Sequence, residues 1–254
     1  MGLSIIIFFA IKAFFSLGDL HAEVVPRGIF FETSHLLEIE DPSGIDIDPL
    51  TGDLFIVSDE RNKGVYRVTK EGDIVSKLSY RGDDLEGLTV DPYNRLIWVI
   101  EERKRKIVKL DFDGHILDQH SLDIPQNRQN DGIEGITKDL YNRVFYVVNQ
   151  RNPQQFLKLD HNYKVLVHLK EQELEHLNLR DLSGLYYHHE MKKLWIVSSR
   201  SKEVIIVEPE TFKVLQRFKV DISKPEGLAV SVDSDRLYVV CDDENKLYVF
   251  TIEF

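Results

Sequence analysis

Leu85-Glu86-Gly87-Leu88-Thr89-Val90-Asp91 recurs, with variation, at four other places in this chain. Ile133-Glu134-Gly135-Ile136-Thr137-Lys138-Asp139 and Pro225-Glu226-Gly227-Leu228-Ala229-Val230-Ser231 keep the glutamate. Pro42-Ser43-Gly44-Ile45-Asp46-Ile47-Asp48 and Leu182-Ser183-Gly184-Leu185-Tyr186-Tyr187-His188 replace it with serine. The glycines stand 43, 48, 49 and 43 residues apart. A period in the forties marks a repeat architecture in which each unit buries its apolar face against its neighbours.

Within each period the pattern is that of four short strands. Residues 44–48 alternate in polarity, 54–58 form a β-branched and aromatic run, and 65–68 alternate strictly. A turn at Lys70-Glu71-Gly72-Asp73 then leads into 74–80. The second repeat matches piece by piece through 96–100, 106–110 and 116–122, and the third and fourth behave alike. The fifth supplies only three strands, at 228–231, 237–241 and 247–251, before the chain ends. An unassigned strand-like segment, His35-Leu36-Leu37-Glu38-Ile39-Glu40, precedes the first repeat. The economical expectation is an all-β propeller of five four-stranded blades, with this N-terminal strand completing the last blade. Such closure removes exposed sheet edges. Six blades are the alternative, but the two long connections, residues 123–131 and 171–181, contain no further copy of the motif.

Residues 3–17 are apolar except for two serines, Lys12 and the closing turn, the length of a signal-peptide core and short of the roughly 20 residues of a membrane span. The expected organisation is a signal peptide or membrane anchor over 1–22 and one propeller domain over 23–254. Export to the periplasm or cell envelope is expected, with inner-membrane anchoring as the alternative. Membrane contact would then run only through an uncleaved N-terminal segment. The net charge of −11 argues against nucleic acid as a partner, because phosphate binding needs a concentrated basic surface. The single cysteine, Cys241, rules out an intramolecular disulfide and reads as a small buried hydrophobe.

The Ser-Gly and Glu-Gly repeats, together with the second-strand ending Ile56-Val57-Ser58-Asp59-Glu60, resemble the SdiA-regulated (YjiK-like) family of bacterial envelope propellers, from about Val24 onward. The resemblance implies a propeller exported across, or anchored in, the inner membrane. More distantly the chain is similar to calcium-dependent gluconolactonases and esterase-like phytase propellers, which place acidic and asparagine side chains near the equivalent glycine.

In a propeller the first strand of each blade lines the central channel. The residues before the glycines, Ser43, Glu86, Glu134, Ser183 and Glu226, should therefore ring one mouth. The second-strand ends Asp59, Glu101, Asn149, Ser199 and Asp242 should reach the same face. Converging glutamates raise one another's pKa unless something compensates. A calcium ion held among Glu86, Glu134, Glu226, Glu101, Asn149 and Asp242 is one compensation, since calcium takes 6–8 oxygen ligands. Pairing with Arg61, Arg103 and Arg151, which lie just past the second strands, is another, and hydrogen bonds from loop N–H groups are a third. The sequence has no Gly-x-Ser-x-Gly elbow, no His-Glu-x-x-His and no phosphate-cradling glycine loop. Trp98 and Trp195 read as inter-blade core, and His188-His189 as a solvated turn on the opposite face. Two functions remain open. One is a module that binds a small molecule or an envelope protein at the ring. The other is a metal-dependent hydrolase of a lactone or phosphoester, with Glu86 or Glu134 as base.

Overall fold

The structure, a computed structural model, describes residues 25–59, 64–124, 132–231 and 235–254. Strand β1 (Gly28–Leu36) precedes the first blade, which is β2 (Pro42–Ile47), β3 (Leu54–Ser58), β4 (Gly64–Val68) and β5 (Ile74–Lys77). The second is β6 (Leu85–Asp91), β7 (Leu96–Glu101), β8 (Lys106–Asp111) and β9 (Ile116–Ser121). The third is β10 (Ile133–Asp139), β11 (Val144–Asn149), β12 (Gln155–Leu159) and β13 (Val165–Lys170). After one turn of helix, α1 (Glu171–Leu174), come β14 (Gly184–His188), β15 (Lys193–Ser198), β16 (Glu203–Val207) and β17 (Val214–Lys219). Strands β18 (Pro225–Ser231), β19 (Arg236–Cys241) and β20 (Lys246–Glu253) end the chain. These make five antiparallel four-stranded sheets, each ordered from first strand to last except the fifth, which runs β1-β20-β19-β18. The ring is closed by the N-terminal strand, as the missing strand of the last repeat predicts.

That strand lies earlier than the alternation at residues 35–40 suggests. β1 pairs from Gly28 opposite Glu253 to Leu36 opposite Lys246, with a bulge between Phe31 and Thr33. Leu37 and Ile39 are buried in the seam between blades rather than laid along a strand, and the Leu37 N–H reaches only the Asn245 carbonyl. Their alternation reports burial. Phe30 and Phe31, which do pair, are 55% and 61% exposed, so the strand that closes the ring lacks an alternating apolar pattern.

Burial falls from the axis outward. β2, β14 and β18 are buried at every position, whereas β5 is exposed throughout and β9 and β13 nearly so. Inner strands are flanked by neighbouring blades on both faces, so their side chains read as continuous core, and the apolar clusters lie in the seams between blades. Trp98 and Trp195 both belong to these seams.

The turns repeat as well. The residue that ends the motif caps the turn after the first strand: Asp48 accepts from the Leu50 N–H, Asp91 from Asn94, and Asp139 from Tyr141 and Asn142. His188 takes this position in the fourth blade, where its Nδ1 accepts the Met191 N–H. The histidine pair is therefore not a solvated turn. His188 is buried and uncharged, its pKa pushed down to about 4 by burial, and His189 is partly buried. Residues 1–22 and Arg61 lie outside the described residues, and none of the described helices is long and apolar enough to cross a membrane.

Candidate functional site

The five motif glycines pack against one another around the axis. A Cβ at Gly87 would stand 2.5 Å from the Glu134 carbonyl oxygen, and one at Gly227 the same distance from that of Ser43. At Gly44 and Gly184 the carbonyls of Glu86 and Glu226 are closer still, and Gly135 faces Val148 and the backbone of Gly184 and Leu185. Only glycine permits this approach. The passage left at this level is about 10 Å³, room for about one water. The glycines thus form a plug that divides the channel into two separate mouths.

Immediately before the plug, four inner strands are bulged, with register shifts at Pro42/Ile45, Leu85/Leu88, Ile133/Gly135 and Pro225/Leu228. Such a bulge re-aims a side chain. It turns Ser43, Glu86, Glu134 and Glu226 into a cavity of about 210 Å³ at one mouth. Ser183 lies beneath Glu226, holding it by a hydrogen bond and accepting the Ser199 N–H at 3.3 Å.

In the second and third blades the second-strand contribution differs by one residue from the sequence reading, which also names Asp59 and Asp242. Asp59, Glu102, Gln150 and Asp242 are equivalent, because each donates its N–H to the carbonyl two residues before the ring position: Asp41, Asp84, Gly132 and Lys224. All four line the cavity. Glu101 and Asn149, expected among the metal ligands, are the last residues of their strands and belong to the preceding register, whose side chains point the other way. Glu101 accepts the Asp83 N–H at 2.9 Å and the Lys104 ammonium at 3.3 Å. Asn149 donates to the Pro153 and Arg151 carbonyls, bracing the loop that carries Gln150.

Seven carboxylates therefore line this mouth: Asp59, Asp84, Glu86, Glu102, Glu134, Glu226 and Asp242. Among the described residues they meet Arg103, Arg151 and Lys224. Arg103 pairs with Asp84 at 2.9 Å, and Lys224 bridges Asp242 and Glu226. Among the described residues four negative groups are left in excess. Two carboxylate triads, Asp59–Asp84–Glu86 and Glu86–Glu102–Glu134, each bring their oxygens within 4.8 Å, and Glu86 belongs to both.

The electrostatic consequence is proton retention. Glu86 and Glu134 are held well above the usual carboxylate range, first by burial, then by Asp59 for Glu86 and by Glu86 for Glu134. Burial and contact with Asp84 push Glu102 up to about 8. Glu226 rises to about 7 through burial, with Lys224 opposing. Proton-sharing contacts follow, Glu134 with Glu86 and Glu102 with Asp84. Among the described residues, the buried acceptors without a hydrogen-bond partner at this mouth include Glu226 Oε2 and Gln150 Oε1. The donor set is all oxygen, without His or Cys, which suits a hard cation such as calcium and not zinc.

Glu102, Asp84 and Gln150 were not singled out in the sequence. A signal for Asp84 exists, since aspartate recurs two residues before the ring position as Asp41, Asp84 and Asp181.

No curated protein matches the sequence. Among solved structures, a chain of the nidogen/laminin complex aligns over 82% of this chain and 74% of its own at 16% identity, with a TM-score of 0.57. Myxococcus xanthus glutaminyl cyclase aligns over 89% and 96% at 10% identity and 0.66. Staphylococcus aureus virginiamycin B lyase aligns over 83% and 66% at 17% identity and 0.50. At these identities the likeness is one of fold, the β-propeller. Residues 31–251 match the SdiA-regulated family, and the chain belongs to it.

Proposed function

We propose that this propeller is a binding module whose carboxylate mouth takes up a divalent cation, calcium by its donor set, and presents it to an anionic group of a small molecule or protein. The observation that carries the reading is the pair of carboxylate triads sharing Glu86, beside the buried, unpartnered oxygens of Glu226 and Gln150. Glu86, Glu102, Glu134 and Asp84 would supply the first ligands, and Gln150 a neutral oxygen. Bound calcium would supply the positive charge that protons supply in its absence. Arg103 and Arg151 stand at the same mouth and favour an anion there.

Calorimetric titration of the chelated protein with calcium tests this. Saturable binding with proton release, weakened by Glu86→Gln, is the expected result. Absence of binding by calcium, magnesium and manganese overturns it.

A second reading has the same ring hydrolyse a lactone or phosphoester. Glu102 favours it, since an acid held near 8 can both give and take a proton close to neutral pH. Turnover of such esters by the calcium-loaded protein, abolished in Glu102→Gln, would establish hydrolysis. Without turnover the module only binds.

A further inference from the structure

On the far side of the glycine plug lies a cavity of about 570 Å³, within the size range of small-molecule sites. Its floor is made by residues two past the motif glycines, Asp46, Thr89, Thr137 and Tyr186. All four of these side chains also tie neighbouring blades together. Asp46 Oδ2 accepts from the Thr89 hydroxyl at 2.9 Å and the Val90 N–H at 2.8 Å. Thr137 accepts the Tyr187 N–H, and Tyr186 donates to the Val230 carbonyl. The wall is aromatic, with Tyr187 and His189 in edge contact and Tyr141 in edge contact with His189. At the rim Tyr93 and Tyr141 are 70% and 84% exposed.

Asp46 is the informative group. It is buried, yet all three of its hydrogen-bond partners are neutral: Ile47 N–H, Val90 N–H and the Thr89 hydroxyl. Among the described residues no lysine or arginine is paired with it. Of the two lysines that line the cavity, Lys138 is bonded to Asp91 at 2.9 Å and lies 4.0 Å over the Trp98 ring, and Lys70 lies against Gly52. A carboxylate has about four acceptor sites, and Asp46 uses three, one at Oδ1 and two at Oδ2. A buried negative charge without a counter-ion, facing electron-rich aromatic rings, is the arrangement that recognises an organic cation.

We propose that this mouth binds a small organic ammonium ion, with Asp46 as counter-charge and Tyr186, Tyr187 and Tyr141 as its aromatic wall. The site is separate from the carboxylate mouth and independent of the metal reading.

The pH dependence follows from the groups around Asp46. Burial raises its pKa to about 6, against the hydrogen bonds of Val90, Ile47 and Thr89 and with help from Asp48. Lys70, Lys138 and Glu190 line the same cavity, Tyr186 packs beside Asp46, and His189, with His188 behind it, is held neutral by burial. Cation binding should therefore weaken between pH 7 and pH 5.

The probes are choline, phenethylammonium and the uncharged carbon analogue of choline, titrated calorimetrically with chelator present. Saturable millimolar binding of a cation is expected, with the neutral analogue on the order of tenfold weaker. Asp46→Asn should remove that difference, and Glu86→Gln should leave it intact. The loss on acidification should persist in His189→Gln, which separates Asp46 from the histidine. Equal binding of choline and its neutral analogue by the unmodified protein overturns the proposal whatever the variants do. So does the absence of saturable binding by both cations.

Discussion

Removing the cation and raising the pH should destabilise this propeller, and the window can be chosen so that the carboxylate mouth dominates. Glu102 and Glu226 have folded pKa values of about 8 and about 7 against a reference of 4.5, and Glu86 and Glu134 are likewise held well above it by burial and mutual repulsion. Between 4.5 and those values the folded chain holds protons that the unfolded chain has lost. Stability therefore falls as pH rises. Other groups interfere at lower pH. Asp46 acts in the same direction up to about 6, whereas His188, depressed to about 4 from 6.5, makes stability rise with pH until the unfolded histidine has lost its proton.

Above pH 6.5 those contributions are largely complete. From pH 6.5 to 8 a group raised as Glu102 is removes on the order of 1–2 kcal/mol, and the other ring carboxylates add in the same direction. For a domain of this size that is a drop in Tm of about 3–6 °C or more. The assay is thermal or urea unfolding of chelated protein at pH 6.5, 7.25 and 8, repeated with saturating calcium. Calcium displaces the protons, so its stabilisation should grow with pH by mass action. A chelated protein that is flat or more stable at pH 8 would mean that the carboxylates are already ionised and neutralised, and the cation argument fails with that result.

Three further outcomes can be checked directly. Glu86→Gln, removing the residue common to both triads, should weaken calcium by on the order of tenfold to a hundredfold, while Glu101→Gln leaves it unchanged; equal effects in calorimetry would restore the sequence-based register. Gly87→Ala places a methyl against the carbonyl of Glu134 and the backbone of Gly135 and Ile136, so urea unfolding should show a loss of about 3 kcal/mol, and a neutral substitution would mean the plug is loose. Deleting residues 28–36 strips the whole length of β20 of its partner, and the truncated chain should lose its cooperative melt or associate through the open edge; an unchanged monomeric melt would show that the ring does not depend on this closure.

The blade count was legible because each blade must bring its inner strand to the axis, and that demand fixes a glycine in all five copies. The site was legible in half. The residue before each glycine is placed by the bulge in register with it, so Glu86, Glu134 and Glu226 could be grouped from the motif alone. Of the second-strand residues, Asp59 and Asp242 could be placed, but those of the second and third blades could not. Glu101-Glu102 and Asn149-Gln150 are adjacent polar pairs, and a period of two cannot tell which member faces the axis when either would be tolerated. The bond from the Glu102 N–H to the Asp84 carbonyl decides it, and that bond is absent from any linear pattern. The closing strand was expected from the missing fourth strand of the last repeat, but its position escaped for a related reason, since β1 is an outer strand whose exposed Phe30 and Phe31 break the alternation.

One seven-residue motif writes both mouths. Its second position faces the carboxylate cavity and its fifth faces the cavity beyond the plug, because the glycine between them sits at the constriction. The two positions vary together from blade to blade. Blades with serine before the glycine carry the large or charged floor residue, Ser43 with Asp46 and Ser183 with Tyr186. Blades with glutamate carry small ones, Glu86 with Thr89, Glu134 with Thr137 and Glu226 with Ala229. Closure of the ring makes this division of labour available, since no blade has to act as an edge and each needs only its glycine to hold its place. Three blades thus concentrate charge at one mouth while the other two supply the counter-charge and an aromatic wall at the opposite mouth. A plug with room for about one water between them keeps the chemistry of each from reaching the other. The metal cation proposed at one mouth and the organic ammonium ion proposed at the other would then not compete for one site.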